Sequence, residues 1–422
     1  MRVIMPRPRA PAKTLLIVSG ARAAMPIIAA ARRMGLRVLV SDGVPDAPGF
    51  RQADAGLLAP TADAEASVEA ARAYAQRTRI DGVIGVGAEV ARTVAAVAEA
   101  LGLAGIPPAT AALAADRLAL RARLRARGVA VPWCAPVEGP AALEALAART
   151  QLPLALRPVD GALALRLLPD VDPRWAVEVA AAASPSGSVM VEEQVAGARV
   201  RAEAIVVDGR ATTVALADRD DEVLERFAPF VVERGSTLPS AAHPAAAERI
   251  AGTVAAAAAA LGMRAGTLSV EVVLGPRGPV LVELGTGLSG GYVGTHEVPL
   301  ATGVDLVAAE IRLALGETPE PGALRARWCQ GVARRFLLPA PGTVTSVRGA
   351  AEAAAGEGIA LLAVVATPGR PIGPLGGWGC HGGVVIAVDE TREGALRRAE
   401  AAAARVRIVT TPGPGAAASL LN

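Results

Sequence analysis

TLSVEVVLGPRGPVLVELGTGLSGG, residues 267–291, is the stretch on which the reading of this chain turns. Its two apolar runs predict a pair of strands turned at Gly275-Pro276-Arg277-Gly278. Each strand carries one acid, Glu271 in the first and Glu283 in the second. Pairing across so short a turn brings two such acids close together on one face. Two carboxylates forced together repel, and are comfortable only with a cation between them. Hard oxygen donors with open positions suit Mg²⁺ bridging phosphates. The bland alternative is two solvated strand acids. A glycine-rich turn follows Glu283, with no basic residue beside it.

Working outward, 422 residues are too many for one ordinary core, so two or three domains are expected. Mean hydropathy is +0.40 and 52% of residues are apolar, but much of this is alanine, as in TVAAAAAALG (253–262). Alanine favours helix and buries little area per residue. The apolar runs are interrupted well short of the ~20 residues that a membrane span needs. Aromatic residues make up only 2% of the chain, which argues against stacking platforms for single-stranded nucleic acid. The 43 bases and 40 acids are interspersed, so no basic stripe marks a nucleic-acid surface. Lys13 is the only lysine. Cys134, Cys329 and Cys380 lie far apart and suggest neither a disulfide framework nor a metal knuckle. The first apolar run is too short for a signal peptide, so a cytoplasmic protein is expected.

Residues 1–12 are Pro/Arg-rich and read as a disordered tail. Then TLLIVSG (14–20), LRVLVSD (36–42) and DGVIGVG (81–87) read as strands, alternating with helices over 23–35, 66–78 and 89–102. That alternation predicts a parallel sheet with crossover helices. Ser19, Gly20 and Asp42 stand where a nucleotide fold places phosphate and ribose contacts, although a tight strand–helix turn explains them equally. A basic helix follows (115–128), then a strand with Arg157 near its end in RPVDG. A hairpin turned at Asp208-Gly209 comes next, then the opening hairpin, then a helix over 300–316. Short strands run from 330, with a helix at 391–404 and a last strand, RVRIV. VMVEEQVAG (189–197) reads as a linker that would lie along a flat ligand, and Arg117 and Arg157 as cations within reach of phosphate.

In this order the segments SGARAAMPIIAAARRMGLRVLVSD, LGLAGIPPATAALAADRLALRARLRARGVAVP, LPLALRPVDG, VEEQVAG, STLPS, the 267–291 hairpin and LATGVDLVAAEIRLALG resemble the ATP-grasp superfamily. The resemblance is to its carboxylate–amine ligases and carbamoyl-phosphate-synthetase-like relatives, over roughly residues 13–410. It implies an α/β fold with an N-terminal parallel domain (13–112), a two-part ATP-grasp domain with antiparallel sheets (113–320) and a small C-terminal α/β cap (321–422). It implies a ligase that uses ATP and Mg²⁺ to activate a small carboxylate, such as an amino acid, as an acyl phosphate and joins it to an amine. Arg117 and Arg157 would take the places of two phosphate-contacting lysines. The linker Glu192, Glu193 and Val195 would meet the nucleotide, and Glu203 would be one candidate for its ribose. Glu271 and Glu283 would hold the metal, and Gly290 would lend its backbone N–H to catalysis alongside Arg157 and Glu283. Arg226, Ser289, Gly291 and His296 would face the substrates. Many relatives are dimers, so a homodimer belongs among the expected states.

The chain departs from the family pattern at the nucleotide side. Both phosphate lysines are arginine, a larger and flatter cation. The turn after Arg157 is bulky, and Arg199 stands where an acid often contacts ribose. Gly285 replaces a metal-binding Asn, and Gly287 replaces an Arg that neutralises carboxylate or phosphoryl charge. A protein that keeps the fold without ATP chemistry, as a binding or scaffold protein, is therefore the alternative. A biotin-carboxylase-like or purine-pathway-like carboxylating enzyme is a further one. Among remaining residues, His243 reads as structural, and Asp218 and Arg219 as a mutual pair. Cys380 and His381 read as part of a structural loop rather than as a catalytic or metal pair, since adjacent residues on a strand would face opposite ways.

Overall fold

The structure is a computed structural model that describes residues 12–150, 153–220, 228–373 and 380–411. The first unit is a parallel sheet of β1 (Thr14–Val18), β2 (Arg37–Asp42), β3 (Ala55–Leu58) and β4 (Gly82–Gly85), ordered β3-β2-β1-β4. Its strand β1 shows why the four residues after Thr14 are all apolar. Leu15 and Ile17 pack with Ile27 and Ile28 on one face, and Leu16 and Val18 pack with Ala71 and Val97 on the other. A strand covered on both faces has no polar side to show.

The turn after β1 is tight and filled. The Gly20 N–H donates to Asp42 Oδ2 at 2.7 Å, and the Val44 N–H donates to Asp42 Oδ1 at 2.9 Å. Gly49 packs directly on Gly20, where an added Cβ would lie 2.7 Å from the Gly20 Cα. Ser19, Gly20 and Asp42 thus build the tight strand–helix turn that was one of their two readings.

A small antiparallel sheet follows, of β5 (Cys134–Val137), β6 (Leu154–Pro158), β7 (Leu165–Leu167) and β8 (Val189–Glu193), ordered β5-β8-β6-β7. The large sheet begins with β9 (Ala198–Val207), β10 (Arg210–Asp220), β11 (Gly235–Leu238), β12 (Gly266–Gly275), β13 (Gly278–Thr286) and β14 (Gly331–Leu337). Next in the chain come β15 (Gly342–Arg348), β16 (Ile359–Val364), β17 (Pro371–Ile372), β18 (Gly383–Asp389) and β19 (Arg407–Thr411). The large sheet runs β13-β12-β9-β10-β11-β14-β18-β16, so strands from the C-terminal quarter continue it. β17, β15 and β19 form a separate sheet.

Period-two alternation on the large sheet sets up the site. Val200, Ala202, Ala204 and Val206 of β9, with Leu268, Val270 and Val272 of β12, pack on Ile250, Val254 and Ala257 of the helix Pro244–Ala260. The intervening residues, Arg199, Arg201 and Glu203 on β9 and Ser269 and Glu271 on β12, therefore face away from that helix. In the β12–β13 hairpin, Glu271 pairs with Glu283, and the register shifts after that pair so that Val272 meets Leu281. The single helix expected over 300–316 is two, Val298–Thr302 and Leu306–Ala314. Gly303 at φ +76° ends the first, and Asp305 caps the second through the Ala308 N–H at 2.9 Å. No helix among the described residues is long and apolar enough to cross a membrane.

Gly49→Ala should lower stability by about 1–3 kcal/mol through overpacking against the Gly20 backbone. The check is the urea midpoint at unchanged m-value. A variant as stable as the parent would show that the turn has room for a ligand.

Candidate active site

A cleft of about 260 Å³ lies between the small sheet and the large one. Its walls carry small apolar side chains, Ala155, Ala162, Ala164, Val195 and Val282 among them, with five arginines and five glutamates. Apart from Glu193, which accepts from the Trp133 N–H at 3.4 Å, these charges fall into two ion-pair sets.

The first set is built around Glu283. Asp116 caps the helix Arg117–Ala126 through the Ala119 N–H at 3.0 Å, which puts Arg117 at its first position. Arg117 donates to the Pro158 and Gly161 carbonyls at 3.1 and 2.6 Å and to Glu283 Oε1 at 3.1 Å. Arg157, near the end of β6, donates to Glu283 Oε2 at 2.5 Å and to Glu192 Oε1 at 3.0 Å. Arg121, one turn further along the helix, is buried and donates to Glu192 Oε2 at 3.1 Å and to the Val282 carbonyl. Desolvation would raise the Glu283 carboxyl, but Arg117 and Arg157 outweigh it and hold it far below the usual range. Glu192 is likewise held down, by Arg157 and Arg121 against its burial.

The second set converges on Glu271, which is 4% exposed. Its Oε1 accepts from Arg199 at 3.2 Å and Arg219 at 2.8 Å. Its Oε2 accepts from Arg219 at 2.9 Å and stands 3.5 Å from Arg201. Arg201 also donates to Glu233 at 3.3 Å, and Glu233 pairs at 2.5 Å with Arg334, which is fully buried. Arg334 reaches on to the Gly291 carbonyl at 2.5 Å and to Glu297 at 2.6 Å, and Ser236 Oγ donates to Glu297 at 2.6 Å. Burial would push the carboxyls of Glu271 and Glu233 up, but the surrounding arginines hold both down. Removing one member of such a buried pair typically costs ~3–5 kcal/mol, because the other charge is stranded.

Glu203 joins the glycine turn to this floor. Ser269 Oγ donates to it at 2.8 Å and Ser289 Oγ at 2.9 Å, while the Gly294 N–H donates to Ser289 Oγ at 3.1 Å. Burial, opposed by Arg201 and the two serines, raises the Glu203 carboxyl to about 7. The turn is fastened from outside as well: the Gly87 N–H donates to the Leu288 carbonyl at 2.9 Å and the Gly287 N–H to the Thr267 carbonyl at 2.9 Å. Gly287 has φ +87°, and a Cβ there would meet nothing within 4 Å.

Of the residues expected from sequence, Arg117, Arg157, Glu192, Glu193, Val195, Glu271 and Glu283 all line the one cleft. Ser289 and Glu203 are bonded to each other, and Gly290 and Gly291 belong to the turn above them. His296 bonds to Thr295 at 3.0 Å and meets the Tyr292 ring edge-on at 5.3 Å, while its neighbour Glu297 is wholly buried. His296 is not among the cleft-lining residues. Arg226 lies outside the described residues. Asp218 pairs with Arg392 at 2.8 Å while Arg219 pairs with Glu271, which corrects their expected mutual pairing. As strand neighbours they face opposite ways. Cys380 and His381 lie outside the strands, as the loop reading expects, but Cys380 Sγ stands 3.8 Å from His381 Nδ1 and both line the cleft, so they do not face opposite ways. Sequence reasoning missed Arg201, Glu233 and Arg334. Arg201 was findable, since Arg199-x-Arg201-x-Glu203 has the strand period. Glu233 and Arg334 carry no local signal.

Residues 335–411 match the family described as L-amino acid ligase C-terminal domain 2. The crystal structure of an L-amino acid ligase from Bacillus licheniformis is similar at a TM-score of 0.81 and 21% identity, over 94% of this chain and 99% of that one. A phosphoribosylglycinamide synthetase from Anaerococcus prevotii is similar at 0.73 and 16%, over 95% and 100%. An N5-carboxyaminoimidazole ribonucleotide synthetase from Thermotoga maritima is similar at 0.69 and 17%, over 94% and 100%. An uncharacterised protein of Sinorhizobium fredii is 28% identical over 315 residues, which is 72% of this chain and 63% of that protein's length.

The pH dependence of stability follows from two opposed groups of acids. Glu203 and Glu310 both have carboxyls raised by burial to about 7, the latter against a bond from the Thr267 N–H at 2.7 Å. In the native state they keep protons that the unfolded chain releases above its ordinary pKa of ~4.3, so stability falls as pH rises through ~4.5–7 and is flat above. Glu233, Glu271 and Glu283 are shifted the other way and stabilise above ~4.5, losing this as pH falls. Glu310→Gln should reduce the fall in unfolding free energy between about pH 5 and pH 8 by about 1–3 kcal/mol. Denaturant titrations at the two pH values check this, and an unchanged difference would refute it.

Proposed function

Taking the ATP-grasp fold of this chain as premise, we propose that it is an ATP-dependent ligase that activates a small carboxylate as an acyl phosphate and joins it to an amine. One observation carries the reading. Glu271 and Glu283 stand opposite each other in register at the cleft floor, with Arg117 and Arg157 gathered on Glu283. The similarity to an L-amino acid ligase, in fold and in the C-terminal family match, points to an amino acid as the activated acid.

The residues present fit both ligands, on one condition. The linker Glu192–Val195 and the small side chains Ala155, Ala162 and Val282 leave a slot of the kind a flat ring occupies. Arg117 and Arg157 are the cations for phosphate. Glu271 and Glu283 are ionised hard donors, and Mg²⁺ at phosphate sites takes only one or two carboxylates. The described residues hold no cluster of three or more His, Cys, Asp or Glu that would cage a metal without phosphate. Each carboxylate now accepts from guanidinium groups, so the metal fits only beside an anion that takes those groups over. When bound, ATP supplies the phosphoryl group and Mg²⁺ offsets its charge.

The chain's own residues supply position and charge. Arg117 and Arg157 neutralise phosphate, and the backbone of Gly290 and its neighbours offers N–H groups to a developing oxyanion. Glu203, through Ser289, holds that turn in place. A second reading, a protein that binds an anion without turning over ATP, is favoured by the same saturation of both acids and by the bare backbone at Gly285 and Gly287.

Calorimetric titration with ATP separates the two. Binding is expected in Mg²⁺, weaker by about tenfold or more in EDTA, with added thermal stability that follows ligand concentration. Phosphate release should then depend on one member of a panel of amino acids, small acids and bicarbonate. Arg157→Gln should lower kcat/KM by ~10²–10³, the loss of one charge-assisted contact to phosphoryl. No stabilisation by millimolar ATP with Mg²⁺ would reject the ligase and leave the anion-binding reading.

A further inference from the structure

The cleft holds two cation sets, and the ligase reading uses only one. Arg117, Arg121 and Arg157 serve Glu283 and Glu192, while Arg199, Arg201 and Arg219 serve Glu271, with Arg201 also on Glu233. No ion pair among the described residues joins the two sets. The two facing acids of the hairpin thus belong to different neighbourhoods. The second set also lies toward the glycine turn: Arg201 meets Glu233, Glu233 meets Arg334, and Arg334 holds the Gly291 carbonyl.

We propose that Arg199, Arg201 and Arg219 form a second oxyanion site in the cleft, with the Glu271 carboxylate as its built-in occupant, and that this site receives the carboxylate of the acid substrate. Naming the acid substrate rests on the ligase reading; the oxyanion site does not. Three guanidinium groups converge on one carboxylate, and guanidinium forks match carboxylate and phosphoryl oxygens alike. Arg201 makes the longest contacts of the set, 3.3 Å to Glu233 and 3.5 Å to Glu271, and is the group most readily re-aimed at a ligand. The glycine turn has no base of its own, and position 287 offers none. A cation for a carboxylate near that turn must come from another strand, and β9 and β10 supply it. The proposal makes Arg201 a specificity-determining residue and Glu271 a competitor that the ligand displaces.

The test uses the full-length protein without metal or nucleotide, and inorganic phosphate and succinate as probes at fixed ionic strength. Glu271→Gln removes the Glu271 carboxylate from the site. It is expected to bind one or both probes about tenfold or more tightly than the parent protein by calorimetry. The gain should vanish in Glu271→Gln/Arg201→Gln and persist in Glu271→Gln/Arg157→Gln, because Arg157 belongs to the other set. A folded Glu271→Gln with no gain, or a gain that survives loss of Arg201, overturns the site. A gain for phosphate with none for succinate overturns the assignment to a substrate carboxylate. Should Glu271→Gln fail to fold, the parent protein carries the test. Its thermal shift in succinate, over chloride of equal ionic strength, should be lost in Arg201→Gln and kept in Arg157→Gln. The reverse pattern, or no shift in the parent, refutes the proposal. Because no ATP is present, these outcomes are independent of whether the protein turns ATP over.

Discussion

Two carboxylates placed opposite each other on paired strands are an unstable arrangement, and much of this molecule's centre is organised to resolve it. At ~4 Å, like charges repel by ~1 kcal/mol in water and by ~4 kcal/mol at the effective dielectric near a protein surface. Glu271 and Glu283 are direct register partners, so a counter-charge is required. The chain meets the requirement twice over. Arg117 and Arg157 come from the helix and small sheet on one side, and Arg199, Arg201 and Arg219 come from the neighbouring strands of the large sheet on the other. The ion pairs to Glu283 therefore also dock the small sheet on the large one, and the geometry of the cleft depends on them.

Arginine suits this task where lysine would not. Arg157 holds Glu192 with one terminal nitrogen and Glu283 with the other, and Arg334 spans Glu233, Glu297 and the Gly291 carbonyl. A planar group with five donors bridges several fixed acceptors at once, whereas an ammonium is a single point of charge. The near-total use of arginine among the bases of this chain is thus compatible with a dense, ordered cleft, even at positions where the ATP-grasp pattern that the sequence resembles has lysine.

The cleft is also close to neutral, with five arginines against five glutamates on its walls. A bare polyanion would have to separate ion pairs without compensation. A ligand that arrives with its own cation exchanges partners, guanidinium groups to the anion and carboxylates to the cation. The ion pairs that satisfy the charges of the cleft thereby favour ligands of mixed charge over either ion alone.

The linear order of residues determined a good deal. Alternation of apolar strand and helix dictated the parallel first sheet, because a strand buried on both faces must be apolar throughout. The two hairpins and their turns followed from Gly and Asp-Gly positions, and the acids at 271 and 283 followed from the strand period. Arg199, Arg201 and Glu203 also share a face by that period. Tertiary structure alone decided what each charge meets. Glu233 and Arg334, some hundred residues apart, become a 2.5 Å pair only because β11 and β14 are neighbours in the large sheet. The counter-charges that the two acids meet come from side chains of four other elements, with a separate set for each acid. Local pattern fixes which way a side chain points, since that depends on backbone period. Which charge it finds there depends on packing between segments far apart in the chain, and no window of sequence contains that information.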